Sequence, residues 1–472
     1  MINNSISLYA ILRRILSELN EQVVDHGDRV AYLYLKTGQF RAWRDGLSSA
    51  DGIQSENVAG GTVIDTAGGN TAVRGSFSSP ESLEFENMML ASYAHDIGAY
   101  KTEKFLNLLN FDIENTLEHS IYGYLFMKYF SPMRDSAEVL LYHHTYYTDR
   151  GRYDSPYVDE GILMHLLDRV DIFNLKNEKI EDVLRLVQKG SCKNFNPRDV
   201  EDFLAAQEKF HLLEALRDGT YRVEVRRYFN EPSRTERLLR PVIGMLADEI
   251  DFKSEQTVIH SITIAIIAEA LCKKMNLSPS DTEQCEYASV IHDLGKIDIP
   301  VEIVEKQGKL TPEEYEIMKK HVVFTELIVG DLLPDEIVRA AVNHHERLDG
   351  SGYPRGLKAD ELSTKDRILQ VADVAGALMQ KRSYKDAMDK DTVVSILRSE
   401  AQKGKLDSEI IDVFVSNYDE ITAEVKRKSA ETIAAYEGLH DEFKKYVRVY
   451  ADEEHEVLDE FTLFPAQNCN PC

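Results

Sequence analysis

Apolar residues recur along this chain at intervals of three and four rather than two, a spacing that predicts helices. Leu8, Ile11, Leu12, Ile15 and Leu19 begin one such stripe, which predicts a helix over residues 7–36, and the run from His26 to Leu33 continues it. Between residues 45 and 83 the composition turns to Gly, Ser, Thr and Asn, with Gly60-Gly61 and Gly68-Gly69. That stretch reads as a surface insertion, because it holds little apolar material to bury. Helical periodicity resumes at Met88, and few later segments alternate with the period of a strand; runs such as Val301–Val304 are short. The expected fold class is all-α.

The polar residues that interrupt these stripes come in an order that repeats. His26, His95-Asp96, His119, His143-His144 and Asp168 are followed by His260, His292-Asp293, His321, His344-His345 and Asp373, each roughly 200 residues after its counterpart. The repeat reaches past these groups: Val183 to Val187 with Phe195-Asn196-Pro197 resembles Val393 to Leu397 with Leu406-Asp407. Duplication at this period means two similar domains in tandem rather than a solenoid of small units. The expected division is a first domain over 1–215, a basic helical linker over 216–240, a second domain over 241–425 and a C-terminal helix with a loose tail over 426–472. The linker carries Arg222, Arg226, Arg227, Arg234 and Arg237.

Bulk properties narrow the chemistry. At 472 residues there is room for two or three domains, each with its own core. A net charge of −26 argues against the basic footprint that a nucleic-acid polymer requires. An acidic protein that handles a phosphate ester needs local cations, and metal ions are the obvious supply. No apolar run approaches a membrane span, and the N-terminus lacks the basic-then-apolar order of a signal peptide, so the expected location is cytoplasmic. Cys192, Cys272, Cys285, Cys469 and Cys472 are too few and too scattered for a disulfide framework. Cys469 and Cys472 have redox or metal spacing, but on terminal residues they read as a frayed tail.

In the second domain, imidazoles mixed with hard carboxylates suit a pair of first-row divalent metals, and metals held this way activate water against phosphoesters. Neighbours such as His292 and Asp293 point about 100° apart on a regular helix, so they can share a cluster only at a helix end. Gly295 is expected to supply that end, and Gly350 and Gly352 to do the same for His344 and His345. Asp373 is expected on a later helix that begins near Lys365.

The stretch 250–415 resembles an HD-GYP domain, a branch of the HD metal-dependent phosphohydrolase superfamily that opens cyclic dinucleotides. The residues that carry the resemblance are His260-Ser261, His292-Asp293-Leu294-Gly295-Lys296, Leu310 to Glu314 and His321. It continues through His344 to Pro354, Gly356-Leu357, Ala372-Asp373 and Arg382 to Lys385. It implies two tandem HD-type helical bundles, with His260, His292, Asp293, His321, His344, His345 and Asp373 holding two divalent metals, iron or manganese. Gln256 stands where some members place a glutamate for a third metal, so two are expected. Asp293 would bridge the cations and Lys296 would neutralise charge developing on the phosphoryl group. Arg382 and Lys385 would grip the second phosphate, and Gly352, Tyr353 and Pro354 would shape the pocket wall.

One departure bears on substrate. Family members commonly read Asp-Val-Tyr-Asp-Ala-Leu where this chain reads Asp373-Val374-Ala375-Gly376-Ala377-Leu378. A second aspartate there could accept hydrogen bonds from a guanine edge, so Gly376 should admit adenine and make 3′,3′-cyclic GMP-AMP a candidate beside cyclic di-GMP. The first domain resembles the HD superfamily less closely. It keeps His26, His95, Asp96, His119, His143, His144 and Asp168 as a second candidate metal site, but it lacks the Gly-Tyr-Pro loop and has Ala99 in place of Lys296. The expected activity is metal-dependent hydrolysis of a bacterial cyclic dinucleotide to its linear form. The alternatives are a metal-loaded sensor that binds without hydrolysis, and an HD phosphohydrolase for another nucleotide. The implied partner is the cyclic dinucleotide, with homodimerisation left open.

Overall fold

The computed structural model describes residues 7–46, 81–101, 116–251, 255–304, 306, 308–380 and 388–454. Among them the chain is built of α-helices and short 3-10 turns, with two isolated β-bridges and no strand. The all-α expectation holds. The glycine-rich insertion, Arg382, Lys385 and the Cys469/Cys472 tail lie outside the described residues. No described helix is long and apolar enough to cross a membrane.

The chain divides into two compact units. One, here the C-terminal unit, gathers Met1–Glu21, Tyr129–Ser131 and Phe229–Asp441; the other, the N-terminal unit, gathers Gln22–Lys128, Pro132–Tyr228 and Glu442–Cys472. The division falls inside the stretch expected as a linker, where helix Tyr221–Phe229 gives way to Pro232–Asp251. The first and last helices each contribute to both units. Leu8–Arg44 and Tyr418–Glu454 have 37 residues apiece, a length of about 55 Å that exceeds the diameter of a small domain. Apolar periodicity reports that a helix has a buried face. It does not say which unit covers which part of it.

Within the C-terminal unit, helices Glu255–Lys274, Pro279–Ile291, Asp335–Val342 and Thr364–Met379 pack on one another. Their starts are written in the sequence. Ser278 accepts from the Asp281 N–H, and Ser363 forms a reciprocal capping box with Asp366. Such caps contribute about 1 kcal/mol each. The two segments matched in sequence are capped alike: Asn196 accepts from the Arg198 N–H ahead of helix Pro197–Phe210, and Asp407 accepts from the Glu409 and Ile410 N–H groups ahead of Ser408–Ser416.

The N-terminal unit is fastened by a buried ion cluster. Arg41 reaches Asp202 with Nε at 2.7 Å and Asp199 with a terminal nitrogen at 2.5 Å, and Arg44 also meets Asp202. In the same unit, side chains such as Phe85, Phe126, Leu163 and Phe203 are buried, each contributing about 1.5–3 kcal/mol of transfer free energy.

Candidate metal centre

Five separate elements bring the expected ligands of the C-terminal unit together. His260 comes from helix Glu255–Lys274, and His292 and Asp293 from the end of Pro279–Ile291. His321 opens helix His321–Val329, His344 and His345 form a 3-10 turn, and Asp373 lies within Thr364–Met379. Two overlapping approaches result: His260, His292 and Asp373 place ligand atoms within 4.8 Å of one another, and so do His321, His344 and His345. Asp293 lies between them, with Oδ2 3.0 Å from His292 Nε2 and Oδ1 3.3 Å from His321 Nε2.

The adjacent His-Asp pair is accommodated by a different device from the one expected. Gly295 has no left-handed φ. The helix instead ends as Asp293 turns to φ −104°, ψ 5° and the chain tightens into a 3-10 turn. Gly295 is needed for contact: a Cβ there would stand 2.0 Å from the His321 carbonyl oxygen and 2.4 Å from the Thr325 nitrogen. Its N–H donates to Thr325 Oγ1 at 2.9 Å, and that hydroxyl donates to the His292 carbonyl at 3.2 Å. The missing side chain lets the His321 helix lie on the His292-Asp293 turn.

Orientation of the imidazoles is set by the backbone. Nδ1 of His292, His321 and His344 lies 2.7, 2.6 and 2.6 Å from the carbonyl three residues earlier, at Ser289, Met318 and Ala341. A ring that donates from Nδ1 to a carbonyl presents a lone pair at Nε2. His321 and His344 bring those nitrogens within 3.4 Å of each other, where two lone pairs cannot bond and a cation between them can. His292 Nε2 is buried with no hydrogen-bond partner; its 3.0 Å approach to Asp293 lacks hydrogen-bond geometry. Protonation agrees at His344 and His345, whereas the Asp293 carboxylate, against burial, raises His292 above its ordinary value. Burial pulls His344 well below the usual imidazole range and His345 down to about 3, so both are neutral at pH 7. Against the opposing effect of burial, His292 and Lys296 hold the Asp293 carboxyl well below its ordinary value. Neutral imidazoles and ionised carboxylates are what a hard-to-borderline divalent cation requires, so these residues fit a metal centre.

Arg382 and Lys385 lie outside the described residues; the other expected residues lie beside these ligands. Lys296 Nζ lies 2.5 Å from Asp293 Oδ2. The Tyr353 ring lies 4.7 Å from that of His345, and its N–H donates to the His345 carbonyl. Gly350 takes φ +81°, as a loop glycine should, whereas Gly352 is required by space, since a Cβ would meet Glu346 Cα at 2.4 Å. Pro354 follows in the same loop, after a cis peptide bond. Sequence reasoning missed Glu346. Fully buried, it accepts from the backbone N–H groups of Arg355, Gly356 and Leu357 at 2.6, 3.1 and 3.0 Å and so ties the loop to His345. Its place between the histidine pair and the glycines was the available signal.

The N-terminal unit also assembles its seven expected residues. Asp96, His119, His143 and His144 form one group and His26, His95 and Asp168 another.

Comparison with known proteins agrees with this geometry. Residues 242–410 match the family model described as HD domain. The chain is 30% identical over 352 residues to the 3′3′-cGAMP-specific phosphodiesterase 1 of Vibrio cholerae, covering 68% of this chain and 79% of that protein. It is 34% identical over 194 residues to the cyclic di-GMP phosphodiesterase of Thermotoga maritima, covering 40% of this chain and 51% of that one. A solved cyclic GMP-AMP specific phosphodiesterase of V. cholerae aligns with a TM-score of 0.45 and 18% identity, over 87% of this chain and 97% of that one. With the length shared with the first of these relatives, the chain belongs to the HD-GYP family of HD-domain phosphodiesterases.

Proposed function

We propose that the C-terminal unit hydrolyses a cyclic dinucleotide to its linear form, with 3′,3′-cyclic GMP-AMP as the preferred substrate and cyclic di-GMP as the second. Water adds to one phosphorus, one ester P–O bond breaks, and the departing oxygen leaves as a ribose hydroxyl. His260, His292, Asp293, His321, His344, His345 and Asp373 would hold two divalent cations, iron or manganese, which supply Lewis acidity toward the phosphoryl oxygens and activate water. The single observation that carries this reading is the inward set of Nε2 atoms flanking an ionised Asp293, with His292 Nε2 buried and lacking a hydrogen-bond partner.

The chain's own groups do the rest. Backbone carbonyls fix the ring planes of His292, His321 and His344 before substrate arrives, so little reorganisation remains at the moment of reaction. Lys296, with a side chain 22% exposed beside Asp293, offers its ammonium to the phosphoryl oxygens as their charge grows. The face of Tyr353 offers a base an apolar platform with a hydroxyl at its edge. Arg382 and Lys385 are assigned the second phosphate from their place in the sequence. The preference for cyclic GMP-AMP rests on Gly376 and on the specificity for which the V. cholerae relative is named.

The test is direct. The purified chain is incubated with each dinucleotide under Mn²⁺ or Fe²⁺, and the products are separated by chromatography. Linear dinucleotide should form, and faster from cyclic GMP-AMP, while Asp293→Asn should abolish it. If neither substrate is opened with any first-row divalent cation, the proposal is wrong.

A further inference from the structure

The N-terminal unit raises a separate question, because its donors outnumber those the sequence pointed to. His165 joins His144 and Asp168 within 4.8 Å. Its Nδ1 faces the His143 carbonyl at 3.2 Å, and its Nε2 is buried with no hydrogen-bond partner. Gln370 occupies the matching position of the other unit, three residues before Asp373, and donates to the Asn343 carbonyl at 3.2 Å, one residue earlier in the register than the carbonyl His165 faces. The exchange of an amide for an imidazole keeps a contact to the backbone beside the histidine pair and adds an inward nitrogen.

The remaining rings repeat the orienting device. His95 and His143 hold Nδ1 2.9 and 2.6 Å from the carbonyls of Ser92 and Leu140, turning Nε2 inward. His26 Nδ1 lies 2.7 Å from Asp171 Oδ2, and Arg29 Nε donates to the other oxygen of that carboxylate at 2.6 Å. A carboxylate behind an imidazole fixes its ring and raises its basicity toward a metal. The inward nitrogens crowd together: His26 and His95 Nε2 are 3.2 Å apart, and His144 and His119 Nε2 are 3.0 Å apart.

The two centres differ in the side chains at their rims. In the C-terminal unit the His345 side chain is 23% exposed and Lys296 22%, so a rim is open. In the N-terminal unit the side chains of His26, His95, Asp96, His119, Asp168 and Asp171 are all 9% exposed or less, while His144, the counterpart of His345, is half-buried and the Arg169 side chain is 19% exposed. The rings of Tyr146 and Phe195 lie 5.5 and 5.6 Å from that of His165. Ala99, fully buried, replaces the lysine, and Arg169 binds Asp168 Oδ2 through two nitrogens at 2.9 and 2.6 Å. With Ala99 in place of the lysine and Asp168 Oδ2 taken by Arg169, the donors fit a structural site better than a catalytic one, which keeps an open position.

We infer that the N-terminal unit holds a structural metal centre, with first-row divalent cations between His26, His95 and Asp168 and between Asp96, His119, His143 and His144, and with His165 as an added donor. A set so rich in imidazole suits iron or zinc better than manganese. This inference is independent of hydrolysis in the C-terminal unit.

The test uses the full-length chain. In a variant whose C-terminal centre is disabled by His321→Ala and His344→Ala, metal analysis after dialysis should still find about one equivalent or more of iron or zinc. Adding Asp96→Asn should remove it, and stripping the metal should lower the Tm of the disabled variant. Asp171→Asn, which deletes no ligand, should weaken retention against a chelator by about 10- to 100-fold while the circular dichroism spectrum is unchanged. A disabled variant that stays metal-free after reconstitution with Fe²⁺ or Zn²⁺ overturns the proposal, and so does unchanged retention in Asp171→Asn.

Discussion

Asp171 Oδ2 lies 2.7 Å from His26 Nδ1, so a buried carboxylate stands behind an imidazole of the N-terminal unit. The same register in the C-terminal unit, three residues past the metal-type aspartate, is Gly376, and there His260 Nδ1 is buried without a hydrogen-bond partner. A Cβ added at Gly376 would meet Ile264 Cγ1 at 3.3 Å and Thr263 Cγ2 at 3.4 Å, on the helix that carries His260. Two expectations for Gly376→Asp therefore compete. If the aspartate reads a guanine edge, the ratio of cyclic di-GMP to cyclic GMP-AMP turnover should rise. If it supports His260 as Asp171 supports His26, metal retention should rise by about tenfold and the ratio should stay put. The proposed preference for cyclic GMP-AMP expects the first outcome; the second would leave that preference resting on the relative alone, and measuring both quantities on one variant decides it.

Lys296 separates catalysis from metal holding. Its Nζ contacts Asp293 Oδ2, yet the ammonium cannot itself be a metal ligand. Lys296→Met should lower kcat by about 10²- to 10³-fold, the effect of removing one preorganised charge donor, with metal content unchanged. Loss of metal in parallel with activity would instead make Lys296 a support for Asp293.

How far these features were legible beforehand depends on what each rests on. The all-helical fold and the two sets of seven His and Asp residues that the structure brings together could be read from apolar spacing and from a repeated order of His and Asp, because those signals are local or periodic. The unit boundaries could not, since a helix such as Leu8–Arg44 keeps one apolar stripe while contributing to both units. His165 was missed for a related reason. On an apolar helix face a histidine reads as core, and only the fold shows that its Nε2 points at His144 and Asp168. Gly295 was recognised but given the wrong task, because spacing suggests a helix end and cannot reveal the His321 carbonyl 2.0 Å from its missing Cβ.

That contact has a twin. A Cβ on Gly98 would stand 2.1 Å from the His119 carbonyl oxygen and 2.6 Å from the Gly123 nitrogen. One methyl group in either place forces backbone apart, at a cost of about 1–3 kcal/mol, and moves a ligand-bearing helix. Gly295→Ala should abolish dinucleotide hydrolysis and release the metal of the C-terminal unit while the N-terminal unit keeps its own. Gly98→Ala should do the reverse for metal content. Metal analysis of the two variants side by side checks this, and equal losses from both would mean that the units do not fold around separate centres.

Glu160 provides a pH test away from either set of ligands. Burial raises its carboxyl from 4.5 to about 7, with Arg41 opposing and Asp199 adding to the rise, and burial lifts Asp199 itself from 3.8 to about 6. The groups facing Glu160 are Arg41, Asp199, Glu84 and the Tyr34 hydroxyl, which is 3.3 Å away. An acid whose folded value exceeds its unfolded value binds its proton more tightly in the folded state. Its contribution to stability is therefore complete below about pH 4 and is lost as the pH rises through 6 and 7. Glu160→Gln fixes the neutral form, so the variant should match wild type near pH 5 and exceed it near pH 8 by on the order of 2 kcal/mol, or roughly 4 °C in Tm. The quantity to plot is the difference in Tm between variant and wild type against pH, because titrations common to both chains cancel in it. A flat line would mean that Glu160 is ionised in the folded state at every pH tested, with the Arg41 guanidinium outweighing its burial.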